Sequence, residues 1–164
     1  MSDQISFQNF YSKNINHLTL AEALELHYKL NLQFTKWFEY EDKLLQKTMK
    51  SHDVCHVVFG CNTTLLGEFR VELFTAFGTN LSGSEYRKLV SNPKVLGEPL
   101  DIAKRVGYFK VFKLMLFNSF ELIRIPYLCS KMNKKWPVFS EDEFMGETIG
   151  EIRESFGFRL INKK

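Results

Sequence analysis

"HDVCHVVFGCNTTLLGEFRVELF", residues 52–74, decides the fold. His52, His56 and Phe59 continue a stripe begun by Phe38, Leu45 and Met49, spaced by sevens, threes and fours. That spacing puts one face of a helix toward a core. "VCHVVF" has some β-propensity, but it sits inside this stripe, so a helix from about Glu39 to Phe59 is expected. Gly60 supplies a stop, and "CNTT" a turn in which Asn62, Thr63 or Thr64 can cap the next helix. That next helix is expected from about Thr64 to Phe77, with Leu65, Leu66, Phe69, Leu73 and Phe77 as its apolar set. The stretch therefore reads as an antiparallel helical hairpin.

Working outward, "TLAE" at residues 19–22 has the form of a capping box, with Thr19 as N-cap and Glu22 three residues on. Leu20, Leu24, His27, Asn31 and Phe34 then follow helical spacing. On the C-terminal side, "GTNLSGS" breaks the chain, a short helix is expected at 84–91, and "SNPKVLGEP" is the clearest loop. A long amphipathic helix should run from about Leu100 towards Leu128, with Pro126 ending or kinking it. Ser140 should cap a final helix over about 141–155, closed at Gly157. No internal repeat and no period-two strand is evident. The expected fold is all-α: a lead-in at 1–18, then a single-domain helical bundle over 19–164.

Two histidines one turn apart on the inward face need partners, because a buried polar group without one is costly. The hairpin supplies them. His56 lies six residues before Asn62 and Glu68 six after it; His52 lies ten before and Glu72 ten after. Each carboxylate should face a histidine. Asp53 sits beside His52, about a third of the way round the helix, able to ligate from the edge or to accept an N–H bond. Two imidazoles with one or two carboxylates suit zinc best, with iron, manganese, cobalt or magnesium as the other divalent ions, and leave a position open for water or substrate. The competing reading is a pair of core histidines held by Glu72 and Glu68 with no metal. Two further motifs fit less well. A zincin helix needs Glu where Asp53 stands. The order His27, His52-Asp53, Asp101 matches an HD-type phosphohydrolase, but there the doublet usually ends its helix and here it lies within one.

The same residues resemble the coenzyme Q (ubiquinone) biosynthesis protein four family, in its bacterial-type form. Its signature of His-Asp, two residues, His, eleven residues, Glu is in register at His52, Asp53, His56 and Glu68, with Gly60, Thr64 and Gly67 fitting the neighbouring cadence. "MGETIGEIRESFGFRL" resembles the family's closing helix at Glu151, Arg153 and Gly157. Phe144 and Cys55 depart from it, each standing where a Trp is expected, which leaves the particular quinone open. The resemblance implies an all-helical fold, a divalent metal on the four signature residues and a polyprenyl chain held by apolar helix faces; the count from the turn puts Glu72 behind the metal. Leu65, Phe69, Leu73 and Phe77 form one candidate stripe, and Phe109, Phe112, Leu116 and Phe120 another; ordinary core is the alternative for both. The implied activity is decarboxylation, with hydroxylation, at ring carbon one of a polyprenyl-hydroxybenzoate precursor, or else a non-enzymatic scaffold for other quinone-biosynthesis proteins. A homodimer is implied as well.

Composition bounds the rest. At 164 residues, 45% apolar and 25% charged, the chain has the make-up of one soluble domain. A net charge of +3, with no run interleaving clustered Lys/Arg with aromatics, argues against nucleic acid as a partner. Lys131, Lys134, Lys135, Lys163 and Lys164 are candidates for contact with an anionic membrane, solvated surface being their ordinary role. Three cysteines, none in CxxC spacing, read as reduced thiols. The start "MSDQISFQNF" is polar, and "YFKVFKLMLFNSFELIRIPYL" is interrupted by charges, which argues against a membrane span. The expectation is a cytoplasmic protein, peripheral on the inner face of the plasma membrane. Sixteen Phe suggest either a Phe-rich core or a wide apolar cavity.

Overall fold

The helices begin where a side chain can take up their first backbone N–H groups. The computed structural model describes residue 11 and residues 15–32, 36–91 and 104–161. Helix α1, Leu20–Leu30, starts on the Thr19–Glu22 capping box. Helix α2, Lys43–Phe59, starts on Asp42, whose carboxylate accepts from the N–H groups of Leu44 and Leu45. Helix α3, Leu65–Gly78, is capped by Thr64, and α4, Gly83–Val90, by a Ser82–Glu85 box. Helices α5, Tyr108–Phe117, and α6, Ser119–Ser130, adjoin directly. Helix α7, Ile149–Phe156, starts on a Thr148–Glu151 box and ends on Gly157 at φ 71°. Single 3-10 turns lie at Trp37–Glu39 and Glu141–Phe144. Among the described residues there is no strand, only isolated bridges Thr19–Thr148 and Thr79–Trp136. The fold is all-helical, packed as one helical body.

Three expected boundaries move. Helix α2 begins at Lys43 rather than Glu39, because Asp42 offers a cap and Glu39 ends a separate 3-10 turn. Phe38 thus leaves the stripe and is exposed. The single long helix is two. Asn118, at φ −108° and ψ 11°, separates α5 from α6, and its side-chain amide donates to the Leu114 carbonyl at 2.8 Å. Pro126 does not end α6, which continues to Ser130. Proline forfeits one backbone donor, but Leu122, Ile125, Leu128 and Cys129 around it are all buried and hold the helix to the body. The closing helix starts at Ile149, not 141, because the Thr148–Glu151 box caps it while Ser140 makes no side-chain cap. The expected loop at 91–99, the start of the long helix, Phe34, Asp101, Lys163 and Lys164 lie outside the described residues, apart from Ser91, which caps α4.

The core forms where α1 and α3 lie against α2 and α6 lies against α3. Phe59 and Phe74 stack with ring centroids 4.6 Å apart. Trp136, Phe144, Phe156 and Phe158 extend this aromatic core, Phe158 meeting Phe59 at 4.8 Å between centroids. Arg153 is buried beside the end of α2. Its guanidinium donates to the carbonyls of Val58 at 3.0 Å and Val57 at 2.9 Å, and to Asn16 Oδ1 at 2.8 Å. Those carbonyls belong to the last turn of α2, which lacks helical donors. Burial pulls the Arg153 pKa down to about 10. No described helix is long and apolar enough to cross a membrane.

Candidate metal centre

Two glycines bring the hairpin together. Gly60, at φ 70°, turns the chain at the end of α2, and its N–H reaches the His56 and Val57 carbonyls. A Cβ there would also lie 2.5 Å from the Tyr11 carbonyl oxygen. Gly67 sits under the turn: a Cβ would lie 1.7 Å from the Asn62 carbonyl oxygen, so only glycine fits. Asn62 Oδ1 accepts from Thr64 Oγ1 at 2.6 Å, and Thr64 Oγ1 accepts from Gly67 N at 3.2 Å. Glu68 is thereby fixed in the first turn of α3, where a carboxylate is favoured by the helix dipole.

There His52, His56 and Glu68 converge. His56 Nε2 lies 3.0 Å from His52 Nε2 and 3.4 Å from Glu68 Oε2, and His52 Nε2 lies 3.2 Å from the same oxygen. The histidine–carboxylate facing counted from the turn is thus present, although Glu68 serves both rings. Glu72 stands further off, its Oε1 3.9 Å from His52 Nδ1, and its other oxygen accepts from Tyr86 Oη at 2.9 Å. His56 is buried; His52 and Glu68 are partly open to solvent. Among the described residues this is the one such group of three whose donor atoms lie close enough to share an ion.

The chemistry of the donors fits a cation. His56 Nδ1 donates to the Cys61 carbonyl at 2.9 Å. A carbonyl only accepts, so in the neutral ring the proton sits on Nδ1 and the Nε2 lone pair points into the cluster. Ligands about 2.0–2.1 Å from a tetrahedral zinc lie about 3.3–3.4 Å from one another, close to the separations here. Without a cation, two imidazole nitrogens at 3.0 Å need a proton between them. His52 is the ring that holds it. Burial lowers its pKa, but the hydrogen bond and charge of Glu68, with Glu72 and Asp53, outweigh that and lift it to about 9. Glu68 is pushed up by burial, yet both histidines hold it well below the usual carboxylate range.

Asp53 is not in this group. Its carboxylate turns toward α1, where it accepts from the Tyr28 hydroxyl and lies 4.0 Å from His27 Nε2. Burial raises its pKa. A chain of polar groups continues from it. Asn31 Nδ2 donates to Tyr11 Oη at 3.1 Å, and Tyr11 Oη and His27 Nδ1 share a hydrogen bond at 2.9 Å. His27 Nε2 is the ring nitrogen that faces Asp53. Burial and the two other histidines press its pKa down to about 3, so the ring stays neutral. Thr63 Oγ1 donates to Asn31 Oδ1 at 2.6 Å, tying the network to the hairpin turn. Sequence reasoning saw Asn31 only as a member of a helical stripe, saw His27 there and in the HD-type order, and missed Tyr11 and Tyr28. Two polar residues four apart on a core stripe were the available signal.

The apolar stripes differ. Phe69 and Leu73 are partly buried and pack on the core, Leu65 is partly buried, and Phe77 is exposed. Phe109, Phe112, Leu116 and Phe120 all face outward, and α5 buries no residue at all. A cleft lined by Phe59, Phe74, Leu128, Met132 and Phe158 is closed even to water. Comparison of the chain with family models, curated proteins and solved structures found no match.

Proposed function

We propose that the chain is a metal-binding, polyprenyl-lipid-binding protein of quinone biosynthesis, acting on the carboxyl group of a prenylated aromatic acid. The observation that carries the metal half is the convergence of His52 Nε2, His56 Nε2 and a Glu68 oxygen within 3.4 Å. The lipid half rests on the resemblance of His52, Asp53, His56 and Glu68, in register, to the ubiquinone biosynthesis family, and on the α3 stripe of Leu65, Phe69, Leu73 and Phe77, along which an isoprenoid tail would lie. Each buried methylene of such a tail contributes about 0.8 kcal/mol, so a few isoprene units suffice for retention.

His52, His56 and Glu68 would hold the ion, which when bound polarises an oxygen of the head group and stabilises the charge left as the carboxyl departs. The chain's own groups prepare the site for it. The Cys61 carbonyl holds His56 in the ligating tautomer. Glu72, 3.9 Å from His52 Nδ1, puts negative charge beside that ring. The Tyr28–Asp53 contact fixes α1 against α2 behind the ligands. Loss of carbon dioxide with return of a proton to the ring is balanced without an oxidant. Replacement by hydroxyl needs dioxygen and a redox-active ion such as iron, since zinc has no redox chemistry.

Elemental analysis of the purified protein after exposure to each divalent ion, beside His56→Ala, tests the metal. Wild type should retain one ion and the variant none; a wild type that retains none after soaking removes the reading. A single-turnover assay with a prenylated 4-hydroxybenzoate under oxygen tests the chemistry. Bound lipid without product in the metal-loaded protein would leave a lipid-binding scaffold and sink the enzyme.

A further inference from the structure

Helices α5 and α6 leave a continuous apolar face to solvent. Phe109, Phe112, Leu116, Phe120 and Ile123 are 78, 63, 60, 85 and 73% exposed, with Phe117 beside them at 75%. Their spacing by threes and fours keeps them on one side of a helix. The break at Asn118 does not divide that side, because Asn118 N donates to the Leu114 carbonyl at 3.1 Å and Leu122 N to the Asn118 carbonyl at 3.0 Å. The opposite side of α6 is what packs on the body, through Leu122, Ile125, Leu128 and Cys129. Monomeric proteins rarely leave so large an apolar patch in water.

Charge says what covers it. Residues 104–135 carry eight Lys/Arg and one acid, although the whole chain is only +3. That acid, Glu121, is paired with Arg70 of α3. Lys110, Lys113, Arg124 and Lys131 are exposed along these helices. Lys113 and Lys131 each lie over an aromatic ring one turn away, at 5.6 Å from Phe117 and 5.5 Å from Tyr127. Two copies meeting face to face would bring like charges together. Among the described residues of these helices, apolar rings are flanked by cations and the one acid is paired, which matches an anionic lipid surface.

We infer that the α5–α6 face is a docking surface for anionic membranes, with Phe117 and Phe120 entering the headgroup boundary and the lysines meeting lipid phosphates. The inference is independent of the metal site, and metal content reports on that site separately. The experiment is flotation of the whole chain with phosphatidylcholine vesicles, with and without phosphatidylglycerol, at low and high salt. Wild type should float with the anionic vesicles, less at high salt, and remain free with phosphatidylcholine alone. The double variant Phe117→Ser/Phe120→Ser and the double variant Lys110→Glu/Lys113→Glu should each bind at least about tenfold more weakly. All four positions are exposed, so circular dichroism and metal content should match wild type. Failure of wild type to float, or equal flotation with neutral vesicles, would overturn the inference. So would a dimer in analytical ultracentrifugation that Phe117→Ser/Phe120→Ser dissolves, with no vesicle binding, since a second copy would then cover the face.

Discussion

Phe59 and Phe74, on α2 and α3, lie face to face 4.6 Å apart and nearly sealed from water. Phe117 and Phe120, on α5 and α6, are 75 and 85% exposed. Both pairs sit on helices with apolar residues at threes and fours. What separates them is the number of specific polar anchors nearby. The hairpin of α2 and α3 is fixed by the Gly60 turn, the Thr64 cap, the tight approach at Gly67 and the Arg153 guanidinium on the last carbonyls of α2. Helix α5 starts at Gly107 with no side-chain cap and buries no residue. Apolar periodicity makes a helix amphipathic but does not say which of its faces another helix will cover: α6 has no side-chain cap, yet it packs through Leu122, Ile125, Leu128 and Cys129 and leaves Phe120 outside.

The largest effect expected from breaking the anchored region is on metal binding. His56→Ala removes a ligand nitrogen that the Cys61 carbonyl orients. Affinity, measured by competition with a chelating dye, should fall by more than about a hundredfold, beyond the usual cost of losing an outer hydrogen-bond partner. Asp53→Asn should keep the metal, because the Asp53 carboxylate is engaged with Tyr28 and not with the cluster. Loss of metal in Asp53→Asn to the same degree as in His56→Ala would place Asp53 among the ligands.

Packing comes next. Phe74→Ala should cost about 3–5 kcal/mol in urea unfolding, since it empties a buried stacked site. Arg153→Ala should cost about 2–4 kcal/mol, because the Val58 carbonyl and Asn16 Oδ1 lose the guanidinium and the Val57 carbonyl keeps only the Gly60 N–H. Arg153→Lys should recover only part, as an ammonium lacks the planar fork that reaches both carbonyls.

The pH dependence of the metal-free protein sharpens the same point. His52 has its folded pKa raised from 6.5 to about 9. Its contribution to stability is complete below pH 6.5 and is lost as pH rises through about 9. Glu68 is shifted the other way from 4.5, so its contribution is present above that value and lost as pH falls. Metal-free stability should therefore peak between these limits. A bound cation replaces the His52 proton, so metal affinity should rise with pH up to about 9. The loaded protein should also lose the alkaline decline. Identical alkaline profiles for loaded and metal-free protein would contradict the shared position of proton and metal.

Much of this contrast was legible in the chain, and its limits have physical causes. The hairpin could be read because Gly60 and Thr64 are local signals, and counting from Asn62 brought Glu68 to the histidines. The count could not show that Asp53 turns away, since that depends on Tyr28, which lies twenty-five residues earlier on another helix. Thr19 announced its helix through a capping box, and Thr148 announced another that the apolar pattern after Ser140 concealed. The split at Asn118 carries no Gly or Pro to mark it. The stripe from Phe109 to Ile123 had the period of a core face, and no period records whether another helix arrives to cover it. The described Phe residues thus divide between a core and a surface, a distinction that composition does not hold.

The smallest expected effect lies on the exposed arm, and it is the sharpest test of the contrast. Phe120 is 85% exposed, so its ring is already in water and truncation removes little buried area. Phe120→Ser should change stability by less than about 0.5 kcal/mol, against several for Phe74→Ala. It should also raise solubility, because an apolar group leaves a surface patch. A loss of about 2 kcal/mol or more at Phe120, on the order of a buried-core substitution, would mean that the ring is covered in solution. Covered and anchored helices would then not differ in the way the structure divides them. A near-zero change leaves Phe120 free to act on something outside the chain, while Phe74 acts only within it.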